Sequence, residues 1–317
     1  CWGRNVEGQV GLPDTDGQLL PARVAGLPSD VVEVALGWSH TCARTSTGEV
    51  WCWGFDGLGQ LGTAPGGATQ PPQLVPGIPP ATAVRAAEHR TCVLTAGGDV
   101  WCFGSNAAGQ ISTPPDLAPH GPTLVPELQG TAALSVGSVL TCGARADGTA
   151  SCVGGNAPPL DVPLVDVMDL HLSDVHQCAV RDGKRVACWG GDDFAQLGNG
   201  LPPQDLATPE TLDIQGIDDV AMGWRHTCVL VEGVVSCVGH ALQGQLGNGE
   251  QYQFSDVFAD ALLPAPALDI TSNFGTICAI LGPRDLYCWG DNHSGSVGDG
   301  TIDNRSIPVR IDWDAAD

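Results

Sequence analysis

From Val31 the chain alternates apolar and polar side chains, "VVEVALG", and a period of two marks a strand with one buried face. A more apolar segment follows, "HTCART", and after a short polar loop another, "EVWCWG"; both read as strands bounded by turn residues. Beyond the turn "GQLG" and a looser stretch lies the proline-flanked segment "PQLVPG", which reads as a fourth strand. The arrangement returns at steps of about 50 residues, with one shorter step, and such self-similarity marks a repeat architecture. Four short strands per repeat are what a β-propeller blade requires. One such sheet cannot bury both faces alone, so the core is predicted to form between neighbouring blades.

The cysteines follow the same period. Cys-x-Gly tripeptides begin at Cys1, Cys52, Cys102, Cys152, Cys188, Cys237 and Cys288, and a second cysteine precedes all but the first. Between Cys42 and Cys52 the residues divide as ART, STG and EVW: a strand, a three-residue loop and a strand, which sets the two thiols opposite each other. Such loops favour glycine in the left-handed region at the last position, where Gly48, Gly98 and Gly148 stand. The Cys228/Cys237 pair is one residue closer, and a two-residue turn at Glu232-Gly233 would keep its register. Hairpin geometry therefore predicts disulfides Cys42–Cys52, Cys92–Cys102, Cys142–Cys152, Cys178–Cys188, Cys228–Cys237 and Cys278–Cys288. Zinc is the other use of paired cysteines, but its usual short Cys-x2-4-Cys knuckle is missing from the sequence. Disulfides persist in oxidising compartments, which places the chain outside the cell, at its surface or in a periplasm.

Seven second halves against six first halves predict an all-β, seven-bladed propeller with six complete blades and one half-blade. As a single domain over 1–317, its expected divisions are a half-blade at 1–30 and blades at 31–80, 81–130, 131–165, 166–217, 218–266 and 267–317. Cys1 is unpaired on this count, and an open half-blade points to a piece of a longer chain. The 131–165 unit lacks the Gly-Gln-Leu-Gly turn, and its outer strand is expected at "VPLVD".

Composition narrows the function. With 43 glycines and 24 prolines, long helices are not expected. Thirty-six acidic residues against thirteen basic ones give a formal charge of −23. That surface disfavours nucleic acid and anionic lipid, and attracts a basic protein or cations. No apolar run reaches the ~20 residues of a membrane-spanning helix, so direct membrane insertion is not expected.

"GWSHTCARTSTGEVWCWGFDGLGQLG" at 37–62 and "GWRHTCVLVEGVVSCVGHALQGQLG" at 223–247 resemble the regulator of chromosome condensation repeat, a family of mostly seven-bladed propellers. The resemblance weakens near Leu140, His176 and Thr276. The paired cysteines depart from the usual pattern and imply a disulfide-bearing, secreted, bacterial-type member.

Few residues offer chemistry. "GLGQLG" at 57–62 has the spacing of a dinucleotide fingerprint but is one copy of a repeated turn with no helix after it, so no cofactor is expected. His40, His176 and His226 share one repeat position, which suits hydrogen bonds between blades better than convergence on a metal. "DTDG" at 14–17, "GDD" at 191–193 and "GDGTIDN" at 298–304 offer oxygen ligands for calcium without the full spacing of a calcium loop. Neither a Gly-x-Ser-x-Gly elbow nor a His-Glu-x-x-His helix occurs, and no catalytic residue is assigned. Trp38, Trp224 and Arg225 are the candidate partner contacts, with packing as the other role for the tryptophans. The expected function is a secreted or cell-surface module, structural or protein-binding, without catalysis. The alternatives are a secreted inhibitor of an enzyme, which the resemblance includes for β-lactamases, guanine-nucleotide exchange on a GTPase, and an enzyme acting on polysaccharide.

Overall fold

Each repeat folds as an antiparallel meander whose strands are hydrogen-bonded in chain order. In the first, Val31–Leu36, His40–Thr45, Val50–Phe55 and Thr69–Leu74 form the sheet. The computed structural model describes residues 1–13, 16–63 and 69–312. Among them are six such four-stranded sheets, the blades of a β-propeller: blade 1 (31–74), blade 2 (81–124), blade 3 (131–161), blade 4 (167–211), blade 5 (217–260) and blade 6 (269–310).

The expected seven-bladed ring with a half-blade is thereby corrected to six blades. Residues 1–30 contribute no strand among those described, only the isolated bridge Gly3↔Gln18. Among the described residues the "CWG" segment pairs only through that one bridge and has no strand beside it to extend. Blade 3 brings a second correction. Its outer strand is Ala157–Asp161 rather than the following "VPLVD", because Gly155 (φ 67°) and Asn156 (φ 56°) form a two-residue turn directly after Ala150–Gly154.

The hairpins keep the register that the cysteine spacing requires. Cys42 lies opposite Cys52, Cys142 opposite Cys152 and Cys228 opposite Cys237. All six disulfides are formed, each with a Cα–Cα distance of 4.1 Å. In blade 5 the shorter loop is a turn with both central residues left-handed, Glu232 at φ 50° and Gly233 at φ 84°, so Val231 still pairs with Val234. Among the described residues Cys1 is the one free cysteine.

The chain divides into two compact units, one of Asn5–Asp16 and Val24–Leu170, the other of Cys1–Arg4, Gly17–Arg23 and His171–Asp317. In both, the core lies between blades. Val50, Leu61 and Val75 of the first repeat pack with Val84, Val93 and Phe103 of the second. In the other unit Leu230, Val235 and Leu246 pack with Ile270, Ile277 and Trp289. The strands carrying the cysteines are the most buried; His40–Thr45 and Arg90–Thr95 have hardly an exposed position, whereas the outer strand Ala157–Asp161 is exposed throughout.

Candidate partner-binding site

The repeated turns fix the frame on which the candidate residues stand. In Gly-Gln-Leu-Gly at 59–62, both glycines are left-handed (φ 80° and 70°), the Gln60 side-chain oxygen accepts from the Leu58 N–H, and Asp56 accepts from Leu61 N–H. The Gln60 carbonyl then accepts the Thr91 hydroxyl of the next blade at 3.0 Å. Gln9 with Thr41, Gln110 with Thr141 and Gln196 with Thr227 repeat the link. Blade 6 has Ile277 where the threonine would be and keeps the indole bond, Trp289 N–H to the Gln245 carbonyl, which in blade 1 Trp53 makes to Gln9 beside Thr41. The "GLGQLG" match is thus a joint between blades.

The histidines belong to the same joint. His40 Nε2 lies 2.8 Å from Thr91 Oγ1 and His176 Nε2 2.8 Å from Thr227 Oγ1, while His226 Nε2 meets Ser272 Oγ at 2.9 Å. The Thr91 and Thr227 hydroxyls donate onward to glutamine carbonyls and the Ser272 hydroxyl to the Thr276 carbonyl, so each imidazole donates from Nε2. Burial pushes all three down to about 3, helped at His40 by His89, at His176 by His226 and at His226 by His240. Arg90 fills the equivalent position in blade 2 and donates to the carbonyls of Gly137 and Leu140. Among the described residues no group of three or more His, Cys, Asp or Glu is placed to hold a metal ion. In the "GDGTIDN" loop Asp299 is engaged by Arg305 and Thr301; in "GDD", Asp192 accepts from the N–H groups of Leu197 and Gln204. Asp14 and Thr15 of "DTDG" lie outside the described residues.

The residue two places before each of these positions sits at the bend between the first and second strands, and there the tryptophans are exposed. Trp38 is half exposed and meets His89 edge-on at 5.7 Å. Trp224, in the other unit, is built into something larger. Its ring stacks on Phe274, at 5.3 Å and an interplanar angle of 6°. The Arg225 guanidinium lies 4.1 Å from the centre of the Trp224 ring and 4.6 Å from that of Phe194. Phe194 in turn meets His240 and Phe254 edge-on, at 5.0 and 6.4 Å. The result is a row of aromatic rings with one cation over it, drawn from three successive blades.

Of the sequence-predicted contacts, the structure brings Trp224 and Arg225 together, and Trp38 belongs to the other unit. Phe194, Phe274 and His240 were not foreseen. Phe274 had a legible signal, since it occupies the repeat position of Trp224; Phe194, two residues before the Gln196 of its turn, had none.

The first part of the chain matches the Regulator of chromosome condensation (RCC1) repeat over residues 1–44 and 47–94, and a second description of that repeat over 31–60 and 88–110. These residues carry RCC1 repeats. Over 62 residues, 19% of this chain, identity is 40% to the ultraviolet-B receptor UVR8 of Arabidopsis thaliana and 45% to protein RCC2 of Homo sapiens. The matched stretch spans 14% of the first protein and 12% of the second. Over the whole fold, the structure of Prp20p from Saccharomyces cerevisiae superposes with a TM-score of 0.90 at 19% identity, covering 99% of this chain and 86% of that one. The RCC1-like propeller fold thus extends over the blades where the repeat signature has faded.

Proposed function

We propose that this protein is a non-catalytic, protein-binding propeller that works in an oxidising compartment, outside the cell or at its surface, and engages its partner through the exposed aromatic turns at Trp224–Arg225 and Trp38. The observation that carries this reading is the row Phe274–Trp224–Arg225–Phe194, because aromatic and arginine side chains held rigidly at a surface are the residues that dominate protein interfaces. Six buried disulfides support the compartment. Protein binding is also what similar propellers do: Prp20p is described with its binding to Gsp1p and histones, and another structure holds it bound to Kap60. The net charge of −23 favours a partner whose overall charge is basic. Photo-crosslinking from a residue beside Trp224, with partners captured at the cell surface and from medium, tests the reading. A partner captured by the wild type and lost on Trp224→Ala supports it; identical capture by both proteins rejects it.

A further inference from the structure

Arg225 differs from the paired cations of this chain in what holds it. Arg44 and Arg85 are paired with Glu33, Lys184 with Asp218, Arg305 with Asp299 and Arg310 with Asp285. Arg225 has neither an ion pair nor a guanidinium hydrogen bond among the described residues; it is held by the Trp224 and Phe194 rings alone. A guanidinium resting over ring faces can still offer its N–H edge to a carboxylate through two parallel hydrogen bonds. Beside it, His240 Nδ1 accepts from Gln245, so its Nε2 carries the proton and is a second donor next to Phe194. Burial and the Arg225 charge both hold the His240 pKa down.

We infer that the Trp224–Arg225–Phe194 cluster, resting on the protein-binding role proposed above, is an acidic-residue pocket: it takes one carboxylate side chain from a partner segment and packs the apolar or aromatic residue next to it on the Trp224–Phe274 stack. A single fork suits a single carboxylate. Tracking a nucleic-acid backbone would require a line of cations, which the surrounding acidity opposes. The partner is therefore a protein that is basic or neutral overall but offers one Asp or Glu flanked by large apolar residues. The ring contacts pre-order the arginine, so little side-chain entropy remains to be lost on binding.

The experiment uses the intact, disulfide-bonded protein and a displayed peptide library in which Glu-aromatic and Asp-aromatic pairs compete with matched Gln, Asn and Lys versions. Binders should be enriched in the acidic pairs. Changing the peptide Glu to Gln, or Arg225→Lys, should weaken binding about tenfold to a hundredfold, while Leu160→Ala, at an exposed position on the outer strand of blade 3, leaves it unchanged. Lysine keeps the charge but neither the fork nor the stack, so its loss identifies the geometry rather than the charge. Intact disulfides and an unchanged denaturation midpoint establish that the variant is folded. Peptides that bind without an acidic residue, or equally to Arg225→Lys, overturn the pocket; if crosslinking still finds a partner lost on Trp224→Ala, the binding role stands without it.

Discussion

At the scale of single residues, the joint between blades makes a statement about acid. His40, His176 and His226 are neutral in the fold with pKa values of about 3, whereas in the unfolded chain they titrate near 6.5. Folded pKa values below the unfolded ones mean that the unfolded state binds more protons, so the stability these rings contribute is full above pH 6.5 and lost as pH falls toward 3. Urea midpoints should drop steadily from pH 7 to pH 4, and the triple variant His40→Gln, His176→Gln, His226→Gln should show a shallower drop. Asp219 has the opposite sign. Burial, with Asp269 facing it, raises its pKa to about 6, so its contribution is present at low pH and lost as pH rises through that value. One turn residue also departs from its repeat: Ala195 stands at φ 59° where the other copies have glycine. A left-handed alanine costs about 1–2 kcal/mol, part of which glycine returns through its freer unfolded chain. Ala195→Gly should therefore stabilise the protein by roughly 0.5–1 kcal/mol, read from the denaturation midpoint.

At the scale of elements, the hairpins were the most legible part of the chain because two independent signals, cysteine spacing and turn chemistry, fix the same register. The Glu232-Gly233 turn shows how firm that register is: one residue is lost and Cys228 still faces Cys237. Blade 3 shows where legibility ends. "APPLD" and "VPLVD" are alike in composition, and only the left-handed pair Gly155-Asn156, a matter of local backbone, selects the first as the strand. Similarly, Trp224 and Arg225 could be picked out from sequence, but Phe194 reaches Arg225 from another blade through packing that no spacing encodes. Each disulfide closes a short loop, for which the chain-entropy account gives about 2–3 kcal/mol. Replacing Cys142 and Cys152 together by alanine should cost about that much in chemical denaturation, with the other five bonds intact.

At the scale of the whole molecule, the described residues form six blades, and the chemistry of the sulfurs checks the arrangement. Alkylation of the unreduced protein followed by mass spectrometry should label Cys1 alone, with every other cysteine recovered in a cross-linked peptide pair. Label on any hairpin cysteine would contradict the fold described and remove the support for an extracellular address. The threonine-to-carbonyl joint has a further consequence, for inheritance. Its receiving half is main chain, which mutation does not alter; only its donating hydroxyl is encoded by a replaceable side chain. A turn can therefore change its lettering, as the one with Ala195 in place of glycine does, and still offer the next blade the same acceptor, so that blades with little likeness in sequence keep one fold.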